Sequence, residues 1–264
     1  MRLSESEVQL VRGLAPLAAF GLGLVLERVA PHAALRPAWR ANLGLWLLDA
    51  LLMAAVCGAC GWAVAGWAQA SGFGVLNAID APLAVGIAAT VVGLDLVSYA
   101  WHRANHRVRF LWRFHRVHHA DADYHVSTAL RFHPGELLLA LPVRLGVMAL
   151  LGAPPVAVVA FEAMFGIANV LEHGNFQLPR RVEQVLGIAL VTPALHRRHH
   201  STERSARDSN FGTILCLWDR LARTFYPSTS AAVFATGLPG RTGKGARSLA
   251  AMLLAPFRSS SNRV

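Results

Sequence analysis

Long apolar blocks separated by short polar ones dominate the chain. Residues 8–29 are apolar between Arg12 near their start and Glu27 and Arg28 at their end. Residues 43–68 are apolar except for Asp49, and residues 81–100 except for Asp95. Two further blocks, 136–152 and 154–171, are joined by Gly152-Ala153-Pro154-Pro155. About 20 apolar residues suffice to cross a bilayer, so the second block is long enough to span. The first is too long for a signal-peptide core, and Ser4, Glu5 and Glu7 make a poor positive flank, so it reads as a membrane helix. The third block runs directly into a histidine motif, and its helix is expected to continue past the membrane surface as far as His106. Residues 107–134, rich in Arg, His and aromatics, cannot lie in lipid. Pro breaks helices, so 136–171 reads as a hairpin, with a re-entrant pair as the alternative. Residues 183–195 form a short apolar stretch expected at the interface. Beyond Tyr226 the chain turns Gly-, Ser- and Arg-rich, and loose order is expected there. The division that follows is 1–80 as N-terminal membrane helices, 81–227 as the catalytic domain and 228–264 as a basic tail.

Composition agrees. A mean hydropathy of +0.40, with 54% apolar and 15% charged residues, excludes an ordinary soluble domain. The net charge of +10 comes almost wholly from arginine, Lys244 being the single lysine. Such a balance would suit a nucleic-acid partner, but no nucleic-acid motif is present and the apolar runs demand a bilayer. Topology explains the charge better. All the basic residues except Arg2, Arg12 and Arg144 fall in 28–42, 102–135 and 173–264, while 69–80 and 152–155 have none. Positive residues favour the cytoplasmic side, so the histidine motifs are expected to face the cytoplasm and the N-terminus to lie outside. Cys57-Gly-Ala-Cys60 has CxxC spacing but no polar neighbours, and reads as small buried packing residues. With Cys216 the count is odd and gives no hint of a disulfide framework. Gly240–Lys244 resembles a phosphate-binding loop but is followed by Gly245 instead of Ser or Thr, and is rejected.

The chemistry lies in histidine. Asp95–His119 carries five of the 12 histidines: His102 and His106 as HxxxH, then His115, His118 and His119 as HxxHH. A second HxxHH follows at His196, His199 and His200. Residues three and four apart share a helix face, so each cluster aims its rings one way. Eight imidazoles are too many for one tetrahedral ion and suit two metals with open positions. Imidazole serves zinc, iron, copper and nickel alike. A zinc hydrolase would need about three ligands, and the HExxH signature is absent. A multi-pass metal transporter would scatter ligands along an intramembrane path, whereas most histidines here sit in arginine-rich segments between the spans. Soluble di-iron bundles use Glu-x-x-His pairs, and no Asp or Glu in this chain precedes a His by three.

Asp95 lies seven residues before His102, on the same helix face, and is a candidate to receive a ligand's second ring N–H. Asn210 and Asp219 are further candidates for such support, Asp219 having a helix cap or a surface pair as its alternative. His125 reads as a polar surface residue and His32 as solvent-facing. His133 either fixes a helix entry or sits beside the site. Glu162 either lines a cavity or, the favoured reading, pairs with Arg144 across the hairpin.

The three histidine clusters resemble the fatty acid hydroxylase and sterol desaturase superfamily of membrane oxygenases. So do His196-Arg197-Arg198-His199-His200-Ser201, Asn210-Phe211-Gly212, Trp218-Asp219-Arg220-Leu221 and Leu130-Arg131-Phe132-His133-Pro134. The resemblance covers about residues 80–227. It implies an all-α integral membrane protein of about five membrane-spanning or re-entrant helices, with a cytoplasmic histidine-rich helical cap holding a dinuclear metal site. It implies two iron ions, with zinc able to take their place in purified samples, and O2-dependent hydroxylation or desaturation of a membrane lipid. Many members have a further HxxxH between the second and last clusters. Here His173 matches its second histidine, and Asn169 stands in place of the first. The implied ligand set is therefore His102, His106, His115, His118, His119, His173, His196, His199 and His200, with Asn169 acting through water or in support. The sequence has no haem CxxCH, GxGxxG or iron–sulfur cysteine set, so electrons are expected from a separate donor protein. An arginine-rich face would suit an acidic one. The alternatives are a metal transporter or metal-binding membrane protein and a membrane zinc hydrolase, the latter distinguished by needing neither O2 nor reductant.

Overall fold

The computed structural model describes residues 5–34, 38–57, 60–227, 234–239 and 247–258, which are helical or loop with three isolated backbone bridges. In chain order the helices are α1 (Glu5–Val29), α2 (Trp39–Val56), α3 (Cys60–Ser71), α4 (Val75–Ala78), α5 (Leu83–Arg107), α6 (Arg109–His119), α7 (Pro134–Leu151), α8 (Pro155–Glu172), α9 (Arg180–Leu186), α10 (Pro193–His199), α11 (Arg204–Arg207), α12 (Leu217–Leu221) and α13 (Leu249–Leu254). Among the described residues, five stretches are long and apolar enough to cross a membrane: Leu10–Val29, Trp39–Ala78, Leu83–Arg107, Pro134–Leu151 and Pro155–Glu172. Their outer faces stay apolar and exposed, as at Leu14, Leu17, Leu22, Leu47, Leu51 and Val85. In water such a surface would be costly, so the chain reads as a multi-pass membrane protein.

The spans converge on small residues. Ala65, Leu94, Met148, Ala153, Val158, Phe161 and Ile214 form the main core between α3, α5, α7 and α8. α1 packs along α8, where Gly166 admits Pro16: a Cβ on Gly166 would lie 2.6 Å from the proline Cγ. The expected hairpin is α7–α8. Gly152 ends α7 in the left-handed conformation (φ 69°), which glycine adopts without steric cost, and Pro155 opens α8. Glu162 differs from expectation. It pairs with Arg12 of α1 at 2.5 Å, because α1 covers that face of α8, while Arg144 lies over the Phe165 ring at 4.6 Å. Cys57 and Cys60 also differ. They are half-buried and joined as a disulfide, their Cα atoms 5.2 Å apart, within bridging range.

At 25 residues, α5 is about 37 Å long, longer than the roughly 30 Å apolar core of a bilayer. Its final turns therefore project beyond the apolar layer and carry His102 and His106. There the loop after α6, together with α9–α12, forms a cap. Arg131 is buried in it and donates to Val117 O at 2.8 Å and Asn42 Oδ1 at 3.2 Å. Asn42 in turn donates to Asp121 and Ser127. This network fixes the end of α6 against α2. Part of the segment expected to be loosely ordered is docked. α13 buries Met252 against Ala41, Leu45 and Val117, and Arg113 Nε donates to Pro256 O at 2.6 Å. Its apolar Leu249–Leu254 run supplies the packing that the surrounding Gly, Ser and Arg content masks. Gly240–Lys244 lies outside the described residues.

Candidate metal centre

Four helices deliver the histidines to one place. α5 ends with His102 and His106, α6 with His115, His118 and His119. His173 caps the C-terminus of α8, and α10 supplies His196 and His199, with His200 as its cap. These nine fall into two groups, each with its ligand atoms within 4.8 Å of one another. His102, His106, His115, His119 and His199 form one; His118, His173, His196 and His200 form the other. Eight of the nine are at most 2% exposed, and His102 is half-buried beside a cavity.

The ring nitrogens show what the groups are for. His119 Nε2 faces His106 Nε2 at 3.0 Å and both His115 Nε2 and His199 Nε2 at 3.1 Å. His173 Nε2 faces His118 Nε2 at 3.0 Å and His196 Nε2 at 3.1 Å. Meanwhile the Nδ1 atoms point at acceptors: His102 at Phe211 O (2.9 Å), His115 at Glu136 Oε1 (2.8 Å), His173 at Asn169 O (2.6 Å) and His199 at Ser209 O (2.6 Å). A neutral imidazole that donates through Nδ1 has only a lone pair at Nε2. His119 faces two such lone pairs, on His115 and His199, and could donate a proton to only one of them; a cation among the converging nitrogens removes the remaining repulsion, so this donor set fits bound metal. Burial also disfavours protonation of several rings. His118, His119, His196 and His200 are pushed well below the ordinary histidine value by burial and then by their neighbours. Burial lowers His199 to about 3 and His173 to about 4, against the raising effect of their carbonyl partners.

The supports are mostly not those expected. Asp95 touches no histidine. It accepts from Ile214 N and Leu215 N at 3.2 Å and from Trp218 Nε1 at 2.8 Å, because the 214–218 loop covers that face of α5. Asp219 accepts from Phe211 N, Gly212 N and Thr224 Oγ1 at 2.6–2.9 Å, fixing the turn whose Phe211 carbonyl receives His102. Asn210, in the left-handed region (φ 52°), ties Leu195 and Tyr226 together. Asn169 contributes its backbone carbonyl to His173, and its side chain donates to Ala129 O.

Three carboxylates stand closest to the rings. Glu136 accepts from His115 and, at 3.0 Å, from Asn105. Asp208 Oδ1 lies 3.8 Å from His106 Nδ1, and Glu172 Oε2 lies 3.7 Å from His196 Nδ1. Glu136, hydrogen-bonded to the far nitrogen of His115, can fix that ring's tautomer and orientation, while Asp208 and Glu172 stand beyond hydrogen-bond reach. Sequence reasoning missed all three. The available signals were an acid opening an apolar helix at Glu136 and the adjacent Glu172-His173 pair. His125 is buried, not superficial: its Nδ1 accepts from Ser127 N at 3.2 Å and caps the short helical turn 126–130. His133 caps α7 through Gly135 N at 3.0 Å, and His32 lies half-buried near Gln177.

A cavity of about 70 Å³ opens beside the histidines. His102, His115, His118, His173 and His196 line it together with Trp101, Phe132, Arg144 and Phe165, Phe132 stacking on His118 at 4.5 Å.

Comparison with known proteins places these features in context. The fatty acid hydroxylase family profile matches residues 87–224. Ornithine lipid hydroxylase OlsE of Rhizobium tropici is 31% identical over 176 residues, 67% of this chain and 51% of that one. Human alkylglycerol monooxygenase is 30% identical over 158 residues, 57% of this chain and 33% of that one. Rat cholesterol 25-hydroxylase is 24% identical over 131 residues, 49% of this chain and 43% of that one. The chain thus spans about half the length of the first of these and a third of the second. No solved structure matches.

Proposed function

Since the chain belongs to the fatty acid hydroxylase family, we propose that it is a membrane-bound di-iron oxygenase that uses O2 to oxidise a C–H bond of a membrane lipid. The observation that carries this reading is the pair of adjoining histidine groups, their Nε2 atoms converging and several Nδ1 atoms anchored. His102, His106, His115, His119 and His199 would hold one iron, and His118, His173, His196 and His200 the other. The irons would supply O2 activation, which no protein side chain provides. Glu136 and the Phe211, Asn169 and Ser209 carbonyls hold rings in the ligating tautomer. Burial disfavours protonation of rings such as His118, His173, His196 and His199, and the aromatic lining residues Trp101, Phe132 and Phe165 would exclude water from the lipid segment to be oxidised.

Hydroxylation is favoured over desaturation, because the matched relatives carry hydroxylase or monooxygenase names. Lipids with a polar end, such as an ornithine lipid, an alkylglycerol or a sterol, are the substrate classes those names suggest. Inserting one oxygen atom and reducing the other to water consumes two electrons and two protons. A separate donor protein, approaching an arginine-rich cytoplasmic face, would deliver the electrons. Comparative lipid mass spectrometry under 18O2, with cells expressing or lacking the protein, tests this directly. A lipid gaining one 18O atom only when the protein is present supports the reading; unchanged lipids alongside protein-dependent metal flux in vesicles would replace it with transport.

A further inference from the structure

Arg144 is a cation inside a membrane-spanning helix, facing the cavity that the histidines line. Ionisable groups at such depth are expensive and mark functional sites. Its guanidinium carbon lies 4.6 Å from the centre of the Phe165 ring. The carboxylates that face it are already engaged. Glu162 is bound by Arg12 at 2.5 Å, and Glu136 accepts from His115 and Asn105. Both carboxylates attract the guanidinium, but among the described residues neither hydrogen-bonds it, so it keeps donors for the cavity.

Two helices measure its depth independently. Arg144 lies eight residues after Glu136 on α7, and Phe165 lies eight residues before His173 on α8. At 1.5 Å per residue each interval is about 12 Å. Side chains tilt toward a helix N-terminus, which on α7 aims Arg144 back toward the histidines and shortens that gap. One bound molecule can thus meet both the guanidinium and the histidine layer.

We propose that Arg144 receives an anionic group of the lipid substrate, a carboxylate or a phosphate, and so selects anionic over neutral lipids; this assignment rests on the lipid-oxygenase reading. Arginine suits the task because its planar fork matches both groups. The ring of Phe165 holds the fork in place from behind.

The test is competitive binding in neutral detergent. A fluorescent fatty acid is displaced by three unlabelled lipids of equal chain length: a fatty acid, an alkyl phosphate and a fatty alcohol. Wild type is expected to bind at least one anion about 10- to 100-fold more tightly than the alcohol, the range of a charge-assisted hydrogen bond. The anion with the larger advantage identifies carboxylate or phosphate as the group recognised. Arg144→Gln should abolish the advantage while leaving alcohol affinity unchanged, and Arg144→Lys should keep part of it. An advantage that survives Arg144→Gln, an absent preference in wild type, or an equal loss on all three lipids would overturn the assignment. Metal content reports whether the Gln variant folds. Should it not, Phe165→Leu keeps the charge and removes the ring behind it, and a preference unaltered there would also overturn the assignment. Arg144-dependent anion binding in a protein that oxidises no lipid would leave the assignment standing and defeat the oxygenase reading.

Discussion

Replacing Glu136 separates metal support from metal contact. Its Oε1 atom accepts from His115 Nδ1 at 2.8 Å and Asn105 Nδ2 at 3.0 Å, and the residue is 6% exposed. Glu136→Leu removes this shared acceptor and leaves two donors buried. At about 1–3 kcal/mol per unsatisfied group, the folded state should lose about 2–6 kcal/mol. Glu136→Gln retains an acceptor but removes the charge behind His115, and such losses cost about 10- to 100-fold in metal affinity or turnover. The two variants should therefore rank differently in two assays. Thermal unfolding in detergent should show Leu well below Gln, while competitive metal titration should show both weakened. Wild-type metal affinity in both variants would refute the idea that a carboxylate on His115 governs binding.

Asp219→Ala should destabilise the protein by about 3 kcal/mol or more, since three buried donors lose their acceptor at about 1–3 kcal/mol each; unfolding midpoints of wild type and variant check this, and Asp219→Asn should recover part of the loss. Metal-free protein should lose stability as pH falls. Its buried histidines have folded values below their unfolded ones, His199 at about 3 and His173 at about 4, so the unfolded chain takes up protons first, from about pH 6.5 downward. Bound metal should move that loss to lower pH, and unfolding temperature against pH with and without metal reads it. In a cysteine-free background, Ser71→Cys should react with an impermeant thiol reagent added outside the cell and Ser205→Cys should not, because 69–80 has no basic residue; reversed labelling would overturn the cytoplasmic placement of the site.

The helices and histidine clusters were legible because both obey short-range rules. Apolar runs of spanning length mark α1, α5, α7 and α8, and three- and four-residue spacings place His115, His118 and His119 on one face. Partner choice was not legible. Asp95 shares a face with His102, but which element covers that face depends on a loop about 120 residues later. The acceptors for His102, His173 and His199 are backbone carbonyls, which leave no trace in residue identity. Glu136 looked like the polar edge of an apolar block because its partners sit 21 and 31 residues earlier. His125 is polar and follows Asp121 and Asp123 closely, yet it is buried, since the turn at 126–130 needed a cap.

Metal content, measured on protein purified anaerobically from iron-replete cells, addresses the two-group arrangement itself. Wild type should hold about two irons per chain. His119→Ala, which removes the nitrogen facing three others in the first group, and His173→Ala, which removes the nitrogen facing two in the second, should each lower the count toward one and nearly abolish lipid oxidation. About one metal per chain in wild type, unchanged in either variant, would contradict a dinuclear centre.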